Sequence, residues 1–128
     1  LNTKTIGDSP FLFYNLIRNF FEIKKEIEVI SNNTGYNQKL IERVYEHLFE
    51  NIYKLGNKRD KFFPDFNIAL SWQRLREGKN IKEQDFILLR HEVIEHYLMN
   101  KYNYSYIKAH NYFRKSMIMQ VLLVNKVR

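Results

Sequence analysis

The helical character of the chain is clearest at residues 80–101, which read NIKEQDFILLRHEVIEHYLMNK. Apolar residues recur there at three- and four-residue steps, as they do on one face of an α-helix. These residues are Ile87, Leu88, Ile94, Leu98 and Met99. Asn80 followed by Glu83 resembles a capping box, which satisfies backbone N–H groups at a helix start. The segment therefore predicts an amphipathic helix that continues to about Lys101.

Two polar residues interrupt the apolar face of this helix. At about 100° per residue, His91 and Glu95 lie roughly 40° apart within the apolar stripe. Glu92 and His96 fall further round, towards the flank, and Arg90 falls on the other side. The pattern predicts that His91 and Glu95 face the protein core, where a polar side chain requires a partner.

A partner for this pair is predicted on the next helix, over about residues 106–125. His110 lies near the centre of its apolar stripe, and residues 102–104 form the turn between the two helices. Glu95 lies about eight residues before that turn and His110 about seven after it, so a rise of about 1.5 Å per residue puts them nearly level. The sequence therefore predicts that His91, Glu95 and His110 converge between two packed helices.

The rest of the chain favours three more helices. They are predicted over about residues 11–30 and 37–55, and over a short stretch that Asp65 caps and Gly78 ends. Residues 57–64 are predicted to form a basic loop. Only 4 glycines and 2 prolines interrupt the 128 residues, which favours long elements over many turns. We therefore expect an all-α fold, a single compact bundle of about five helices in one domain over residues 1–128.

Composition excludes several classes of protein. The chain has no cysteine, so disulfides and thiolate chemistry are excluded. No apolar run approaches the roughly 18–20 residues that span a bilayer, and no signal peptide is visible, so stable membrane insertion is not expected. At 45% hydrophobic and 16% aromatic residues, the chain has enough apolar side chains to build a core.

The converging trio has a chemical interpretation. A carboxylate that orients and charges an imidazole is the arrangement of general acid–base catalysis near neutral pH. The same side chains also suit a buried hydrogen-bond network with no chemical role. A third interpretation is a metal site, because His91-Glu92-x-x-Glu95 differs from the zinc-protease motif His-Glu-x-x-His at one position. We expect no cofactor, since that motif lacks its second histidine here.

The other two histidines carry weaker signals. Arg90 and His96 fit the loose Arg-x-x-x-x-x-His pattern of small helical ribonucleases of the HEPN class. A six-residue step, however, turns two side chains about 120° apart on a helix. His47, with acidic Glu46 and Glu50 nearby, is predicted to be a surface histidine.

The basic residues indicate a polyanionic partner. The net charge is +7, and residues 101–128 contain no Asp or Glu. Basic residues interleaved with aromatic ones suit single-stranded RNA, whose bases stack while its phosphates form ion pairs. The residues expected to hold this substrate are Arg74, Arg90, Tyr106, Lys108 and Arg114. The alternative is that lysine and arginine only keep an aromatic-rich domain soluble.

Residues 65–113 also resemble a known class of domains. They contain Trp72-x-Arg74-Leu75-x-x-Gly78, then Leu88-Leu89-x-His91-Glu92-x-x-Glu95-x-x-Leu98-Met99, then Tyr106-x-x-Ala109-His110. This pattern resembles C-terminal toxin domains of bacterial polymorphic toxin systems, of the contact-dependent inhibition and Rhs types. The resemblance covers under half of the chain.

That resemblance implies an antibacterial effector, commonly a nuclease, that a cognate immunity protein neutralises. It points to His91, Glu95 and His110 as the site, and it implies delivery from a producer cell into the cytoplasm of a target cell. A chain that starts at Leu1 rather than Met suggests a piece of a longer protein. An acidic immunity protein would complement the positive charge and associate quickly.

Three hypotheses follow. The first is a metal-independent ribonuclease that acts on an RNA such as tRNA. In it, one of His91 and His110 takes the proton from a ribose 2′-hydroxyl, the other protonates the leaving oxygen, and Glu95 orients its histidine. Arg74 or basic residues of the last helix would stabilise the phosphate. The second is a non-enzymatic basic helical module that binds nucleic acid or a protein, and the third is a metal-dependent hydrolase or nuclease.

Overall fold

Helices account for most of the chain. The computed structural model describes residues 10–112. The helices are α1 (Pro10–Asn19), α2 (Ile23–Thr34), α3 (Gln38–Tyr45), α4 (Phe66–Glu77), α5 (Glu83–Lys101) and α6 (residues 106–112), with a turn of π-helix at Glu46–Glu50 directly after α3. The strands β1 (Tyr53–Leu55) and β2 (Lys58–Asp60) form an antiparallel hairpin. The fold is the predicted all-α bundle with this hairpin added. Within residues 10–112, no helix has the length and apolarity needed to span a membrane.

Polar side chains and a glycine fix the ends of α3 and α4. Asn37 Oδ1 accepts a hydrogen bond from Leu40 N at 2.8 Å, at the start of α3. Asp65 Oδ1 accepts one from Ile68 N at 3.0 Å, at the start of α4. Gly78 ends α4 with a φ of 69°, a left-handed conformation that is strained for residues with a Cβ. The predicted cap and stop of this short helix are confirmed.

The main core is aromatic and lies among the first four helices. Trp72 is fully buried, and its ring centroid lies 6.2 Å from that of Tyr45 and 5.1 Å from that of Phe49. The indole Nε1 donates to Glu26 Oε2 at 3.3 Å, so the polar atom of this side chain has a partner. Leu89 belongs to the same core, which anchors the first half of α5.

A second, smaller core joins the end of α5 to the hairpin and α6. Its buried members are Tyr53, Leu98, Met99 and Ala109, and Leu55, Phe62, Ile94, Tyr104 and Tyr106 pack against them. In the turn before α6, Asn103 has a φ of 57°, and Tyr104 N donates to Leu98 O at 3.1 Å. This turn folds α6 back against α5, as the sequence predicts for the two helices.

The single helix predicted over residues 11–30 is wrong, because two helices occupy that range. At the end of α1, the N–H groups of Phe20 and Phe21 both reach the carbonyl of Leu16 at 2.9 Å. Phe20 is 80% exposed, whereas Phe21 packs against Arg76, whose guanidinium carbon lies 3.8 Å from its ring centroid. Apolar residues recur at helical steps on both sides of the break, so the periodicity does not reveal it.

The helix predicted over residues 37–55 is wrong in its second half. After α3 and the π-helical turn, the chain becomes extended and enters β1. Gly56, with a φ of 67°, begins the tight turn into β2. Residues 57–64, predicted as a loop, therefore contain a strand. The sequence signal for this hairpin is Gly56 followed by Asn57, a dipeptide typical of tight hairpin turns.

The predicted start of the long helix is also wrong. α5 begins at Glu83, and Asn80 lies before it with a φ of 56°. Asp85, rather than Glu83, supplies the capping carboxylate, since its Oδ2 accepts from Lys82 N at 2.9 Å. Arg74 donates to both oxygens of Asp85, at 2.8 and 2.7 Å, and so ties the start of α5 to α4.

Candidate active site

Glu95 lies at the centre of a cluster of histidines. Its side chain projects from α5 towards the second core, and the residue is 1% exposed. Oε1 lies 3.2 Å from His47 Nε2. Oε2 lies 3.2 Å from His110 Nδ1 and in contact with His91 Nε2. One buried carboxylate therefore holds three imidazoles, which come from the π-helical turn, α5 and α6.

The structure places His91, Glu95 and His110 together, as the helical spacing predicts. His91 and Glu95 are one helical turn apart, and the ring centroids of His91 and His110 are 5.0 Å apart. The side chain of His91 is 19% exposed and that of His110 is 44% exposed. The trio thus extends from the interior to the surface, with His110 as its outermost member.

His47 belongs to the same cluster, and sequence reasoning missed it. The prediction of a surface histidine is wrong, because His47 is fully buried. The π-helical turn is the reason: its wider winding buries the successive residues His47, Leu48 and Phe49. On an ideal α-helix, three successive residues point in three different directions. Helical spacing therefore cannot predict that all three are buried in the core.

Tyr53 determines which nitrogen of His47 carries the proton. Tyr53 Oη accepts hydrogen bonds from Nδ2 of Asn51 and from Nδ2 of Asn100, both at 3.0 Å. Because these bonds use both of its lone pairs, the hydroxyl donates its own proton to His47 Nδ1, 2.7 Å away. His47 therefore carries a proton on Nε2, and it donates that proton to Glu95.

Glu95 and Glu92, the two carboxyl groups of the cluster, have pKa values that are shifted in opposite directions. Burial acts to raise the pKa of Glu95, but hydrogen bonds from His47 and His91 outweigh it and lower the pKa to about 2. Burial raises the pKa of Glu92 well above its usual value, and the charge of Glu95 raises it further. Glu95 is the ionised carboxylate, whereas Glu92, 3.4 Å from His47 Nε2, keeps its proton to higher pH.

The charge of Glu95 also decides the tautomer of His110. A carboxylate only accepts hydrogen bonds, so His110 Nδ1 carries a proton where it meets Oε2. The neutral ring then presents an unprotonated Nε2 on the side away from Glu95. This carboxylate–histidine pair has the arrangement of a general base whose outer nitrogen takes a proton from a substrate.

His96 lies beside the cluster, with its ring centroid 5.8 Å from that of His47. Burial is the main reason that the pKa of His96 falls to about 4, so this histidine is neutral at pH 7. Arg90 is exposed on α5. Within residues 10–112, no hydrogen bond or ion pair joins Arg90 to His96, and the structure therefore does not assemble the pair of the HEPN pattern.

A cavity of about 540 Å³ opens next to Glu95. Its walls are mostly apolar and include Leu48, Leu55, Phe62, Phe63, Tyr106 and Ile107. Glu92 and Glu95 form a polar part of the wall, and Lys54 lies on it as well. A cavity of this size and lining is typical of a site for a small molecule or for one group of a larger substrate.

The residues expected to hold a substrate lie in different places. Tyr106 lines the cavity, and its ring centroid lies 5.7 Å from that of His110. Lys108 is exposed on α6, and Arg90 is exposed on α5. Arg114 lies outside the described residues. Lys54, which the sequence did not single out, is the basic residue that the structure places on the cavity wall.

Arg74 has a structural partner. Its guanidinium donates to both oxygens of Asp85 and, at 3.2 Å, to Ser71 Oγ. Asp85 is fully buried, and Arg74 lines a cavity other than the one beside Glu95. The structure therefore does not bring Arg74 to the histidine cluster.

Among residues 10–112, two overlapping sets of side chains have the composition of a metal site. The sets are His91, Glu95 and His110, and His47, Glu92 and Glu95, and in each the ligand atoms lie within 4.8 Å of one another. The second set does not fit an ion, because Tyr53 fixes the proton of His47 on the nitrogen that would have to bind it. The first set offers two imidazole nitrogens and a carboxylate oxygen, which suit a divalent ion such as Zn²⁺.

The chain was compared with protein-family models, curated proteins and solved structures, and none of them matches it. Its class is therefore defined by the fold and the site alone. It is an all-α bundle in which a buried carboxylate binds three histidines beside an apolar cavity.

Proposed function

We propose that this domain is a ribonuclease that cleaves RNA by acid–base catalysis without a metal ion. The observation that carries the proposal is the Glu95–His110 pair. A buried, ionised carboxylate holds Nδ1 of a histidine whose side chain is 44% exposed, and so leaves Nε2 to act as a base. Glu95 and Tyr106 line the adjacent cavity, and the ring centroid of Tyr106 lies 5.7 Å from that of His110, so a substrate group in the cavity would lie near this pair.

The reaction is a transesterification followed by release of the cleaved end. His110 Nε2 takes the proton of a ribose 2′-hydroxyl, and the 2′-oxygen attacks the adjacent phosphorus. The bond from phosphorus to the 5′-oxygen breaks, a 2′,3′-cyclic phosphate forms, and His91 gives a proton to the leaving 5′-oxygen. Glu95 stabilises the positive charge that His110 acquires. RNA is preferred to DNA because the 2′-hydroxyl is an internal nucleophile.

The charge of the domain supports a nucleic-acid substrate. The net charge is +7, and Lys54 lies on the wall of the cavity that contains Glu95. A lysine in that place can pair with a phosphate oxygen as negative charge develops on it. The overall positive charge attracts a polyanion from a distance and raises the rate of encounter.

The biological role that fits this activity is that of an antibacterial toxin. The proposal rests on the resemblance of residues 65–113 to polymorphic toxin domains and on the positive charge. A producer cell would deliver the domain into the cytoplasm of a target cell, and an acidic immunity protein would neutralise it in the producer. Expression of the domain in bacteria should arrest growth, and His110→Asn should relieve the arrest.

The experiment that tests the proposed reaction uses purified protein with total RNA and total DNA, each with and without EDTA. RNA should be cleaved to fragments with 2′,3′-cyclic phosphate ends, DNA should stay intact, and EDTA should have no effect. His110→Asn should lower the rate by about 10²–10⁴-fold. The matched control is His96→Asn, which removes a histidine of α5 that is outside the proposed reaction. Full activity in a folded His110→Asn variant overturns the proposal.

A metal-dependent hydrolase or nuclease is the second candidate, and one observation favours it. The ligand atoms of His91, Glu95 and His110 lie within 4.8 Å of one another. On this proposal EDTA abolishes cleavage, added Zn²⁺ or Mn²⁺ restores it, and elemental analysis finds about one ion per chain. Binding of RNA without cleavage in any of these conditions would instead favour a binding module.

A further inference from the structure

The cavity beside Glu95 has an aromatic wall that continues to the candidate catalytic base. The ring centroids of Phe62 and Tyr106 lie 5.1 Å apart, and the centroid of Tyr106 lies 5.7 Å from that of His110. Phe62 also packs on His47, with 4.9 Å between their centroids, which holds it in place. The wall thus consists of aromatic side chains that continue from the cavity to the ring of His110.

Large apolar side chains at this cavity are left in contact with water. Phe63 is 75% exposed and Ile107 is 70% exposed, and both line the cavity. Exposed apolar side chains around a concave site are typical of a surface that a ligand covers. Phe63 lies on the segment after β2 and Ile107 on α6, so a ligand between them would contact both.

The polar group in the wall lacks a full set of partners. Glu92 is 7% exposed and lines the cavity. Within residues 10–112, its nearest polar contact is the 3.4 Å approach of Oε2 to His47 Nε2, and no hydrogen bond reaches its other oxygen. A buried carboxyl group normally has hydrogen-bond partners, so a ligand in the cavity is a natural source of one.

We infer that this cavity binds one nucleobase of the RNA substrate, with its ring on Phe62, Phe63 and Tyr106 and its edge paired with Glu92. The inference rests on the proposed ribonuclease function and adds a subsite to it. Aromatic side chains stack on the flat face of any base, whereas an aliphatic group would gain nothing from them beyond apolar contact. A base edge carries the hydrogen-bonding groups that a carboxyl group recognises. Lys54 on the same wall is placed for the phosphate of that nucleotide.

The test measures binding, so it does not depend on cleavage. The wild-type protein is titrated by calorimetry with the four nucleoside 3′-monophosphates, which contain no phosphodiester bond, and with ribose 3-phosphate as the control without a base. At least one nucleotide should bind about 5–100-fold more tightly than ribose 3-phosphate, the range that stacking of one base supports. Equal affinity for ribose 3-phosphate and all four nucleotides overturns the inference.

Variants assign the binding to this cavity. Phe63→Ala and Glu92→Leu should each weaken nucleotide binding and leave the affinity for ribose 3-phosphate unchanged, while Glu92→Gln should retain binding because the amide still pairs with a base edge. Phe20→Ala removes an equally exposed phenylalanine that does not line the cavity, and it should have no effect. Phe63 is on the surface, so its variant tests the site even where Glu92→Leu does not fold. Unchanged nucleotide binding in folded Phe63→Ala overturns the assignment.

The two proposals fail in different ways. If the protein binds nucleotides but does not cleave RNA, the base subsite is supported and the proposed ribonuclease reaction is overturned. If the protein cleaves RNA but binds nucleotides no more tightly than ribose 3-phosphate, the proposed reaction is supported and the base subsite is overturned.

Discussion

Tyr53 Oη lies 2.7 Å from His47 Nδ1, and this contact connects the β-hairpin to the candidate catalytic carboxylate. Asn51 and Asn100 both donate to the same hydroxyl, so its proton is directed at His47. His47 in turn directs its own proton at Glu95. The orientation and charge of Glu95 therefore depend on hydrogen bonds through Tyr53 and His47, two residues that are distant from it in sequence.

The first prediction concerns Tyr53→Phe. The substitution removes the proton donor to His47 and leaves the two asparagine donors without their acceptor. The His47 ring is fully buried, so the loss of the partner of its Nδ1 should destabilise the protein by about 1–3 kcal/mol. The rate of RNA cleavage should also fall, by about 10–100-fold, because Glu95 loses its oriented partner. Urea unfolding and initial rates of cleavage measure the two effects.

The matched control is Tyr97→Phe. Tyr97 is 47% exposed on α5, and its hydroxyl lies 3.4 Å from that of Tyr102 at the surface. Removal of this hydroxyl should leave both stability and cleavage unchanged. If Tyr53→Phe behaves like Tyr97→Phe in both measurements, the hydrogen bonds through His47 do not support the site.

The second prediction concerns the opposite pH dependence of two carboxyl groups. Glu95 has a folded-state pKa of about 2 against a usual value of 4.5, so the stability it contributes is present above pH 4.5 and is lost as the pH falls towards 2. The pKa of Glu92 is raised, so its contribution is present below 4.5 and is lost as the pH rises through its folded-state pKa. Glu95→Gln should therefore destabilise the protein at pH 7, and Glu92→Gln should stabilise it most at alkaline pH.

Thermal unfolding of the wild type and both variants as a function of pH measures this difference. The difference in midpoint between Glu92→Gln and the wild type should grow as the pH rises. The difference in midpoint between Glu95→Gln and the wild type should become smaller below pH 4.5, because Glu95 of the wild type begins to lose its stabilising charge there. If the difference in unfolding midpoint between each variant and the wild type is the same at every pH, the charges assigned to Glu92 and Glu95 are wrong.

Helical periodicity correctly predicts that three of the clustered side chains lie together, and the reason is physical. His91 and Glu95 lie within one regular helix, and His110 follows a short turn, so counting residues places all three. Local signals also locate α4, because Asp65 and Gly78 act through their immediate neighbours. Where structure depends on nearby residues alone, the sequence is informative.

The rest of the site depends on packing between distant segments. His47 is buried by a π-helical turn, and Phe62 and Tyr53 cover it from the hairpin side, with ring centroids 4.9 and 5.2 Å away. The helical wheel places Glu92 towards the flank of its helix, whereas the structure buries it beside His47 in the wall of a cavity that forms between elements. Contacts of this kind involve residues far apart in the chain, and no single-helix pattern encodes them.

The third prediction concerns the titration of His96. Burial lowers its pKa from 6.5 to about 4 in the folded protein. Between these values the unfolded chain binds a proton that the folded protein does not, so stability should fall as the pH falls from 6.5 to 4. His96→Leu should flatten this part of the stability profile. NMR titration of the His96 ring gives the pKa directly, and a midpoint near 6.5 would show that the ring is solvated.

The last prediction concerns the role of Arg74, which the sequence assigns to the substrate and the structure pairs with Asp85. The side chain of Asp85 is fully buried, and the side chain of Arg74 is 17% exposed. Arg74→Ala leaves a buried charge without a partner and should destabilise the protein by about 3–5 kcal/mol. Well below the unfolding midpoint it should not change the rate of RNA cleavage, because Arg74 lines a different cavity from Glu95.

Two further variants separate a structural role from a catalytic one. Arg74→Met combined with Asp85→Asn removes both charges and keeps an oxygen for the backbone of Lys82, so much of the lost stability should return. Arg90→Ala, at an exposed arginine, should change stability by no more than about 0.5 kcal/mol. If the stable double variant nonetheless fails to cleave RNA, Arg74 acts on the substrate and the prediction from the sequence is right.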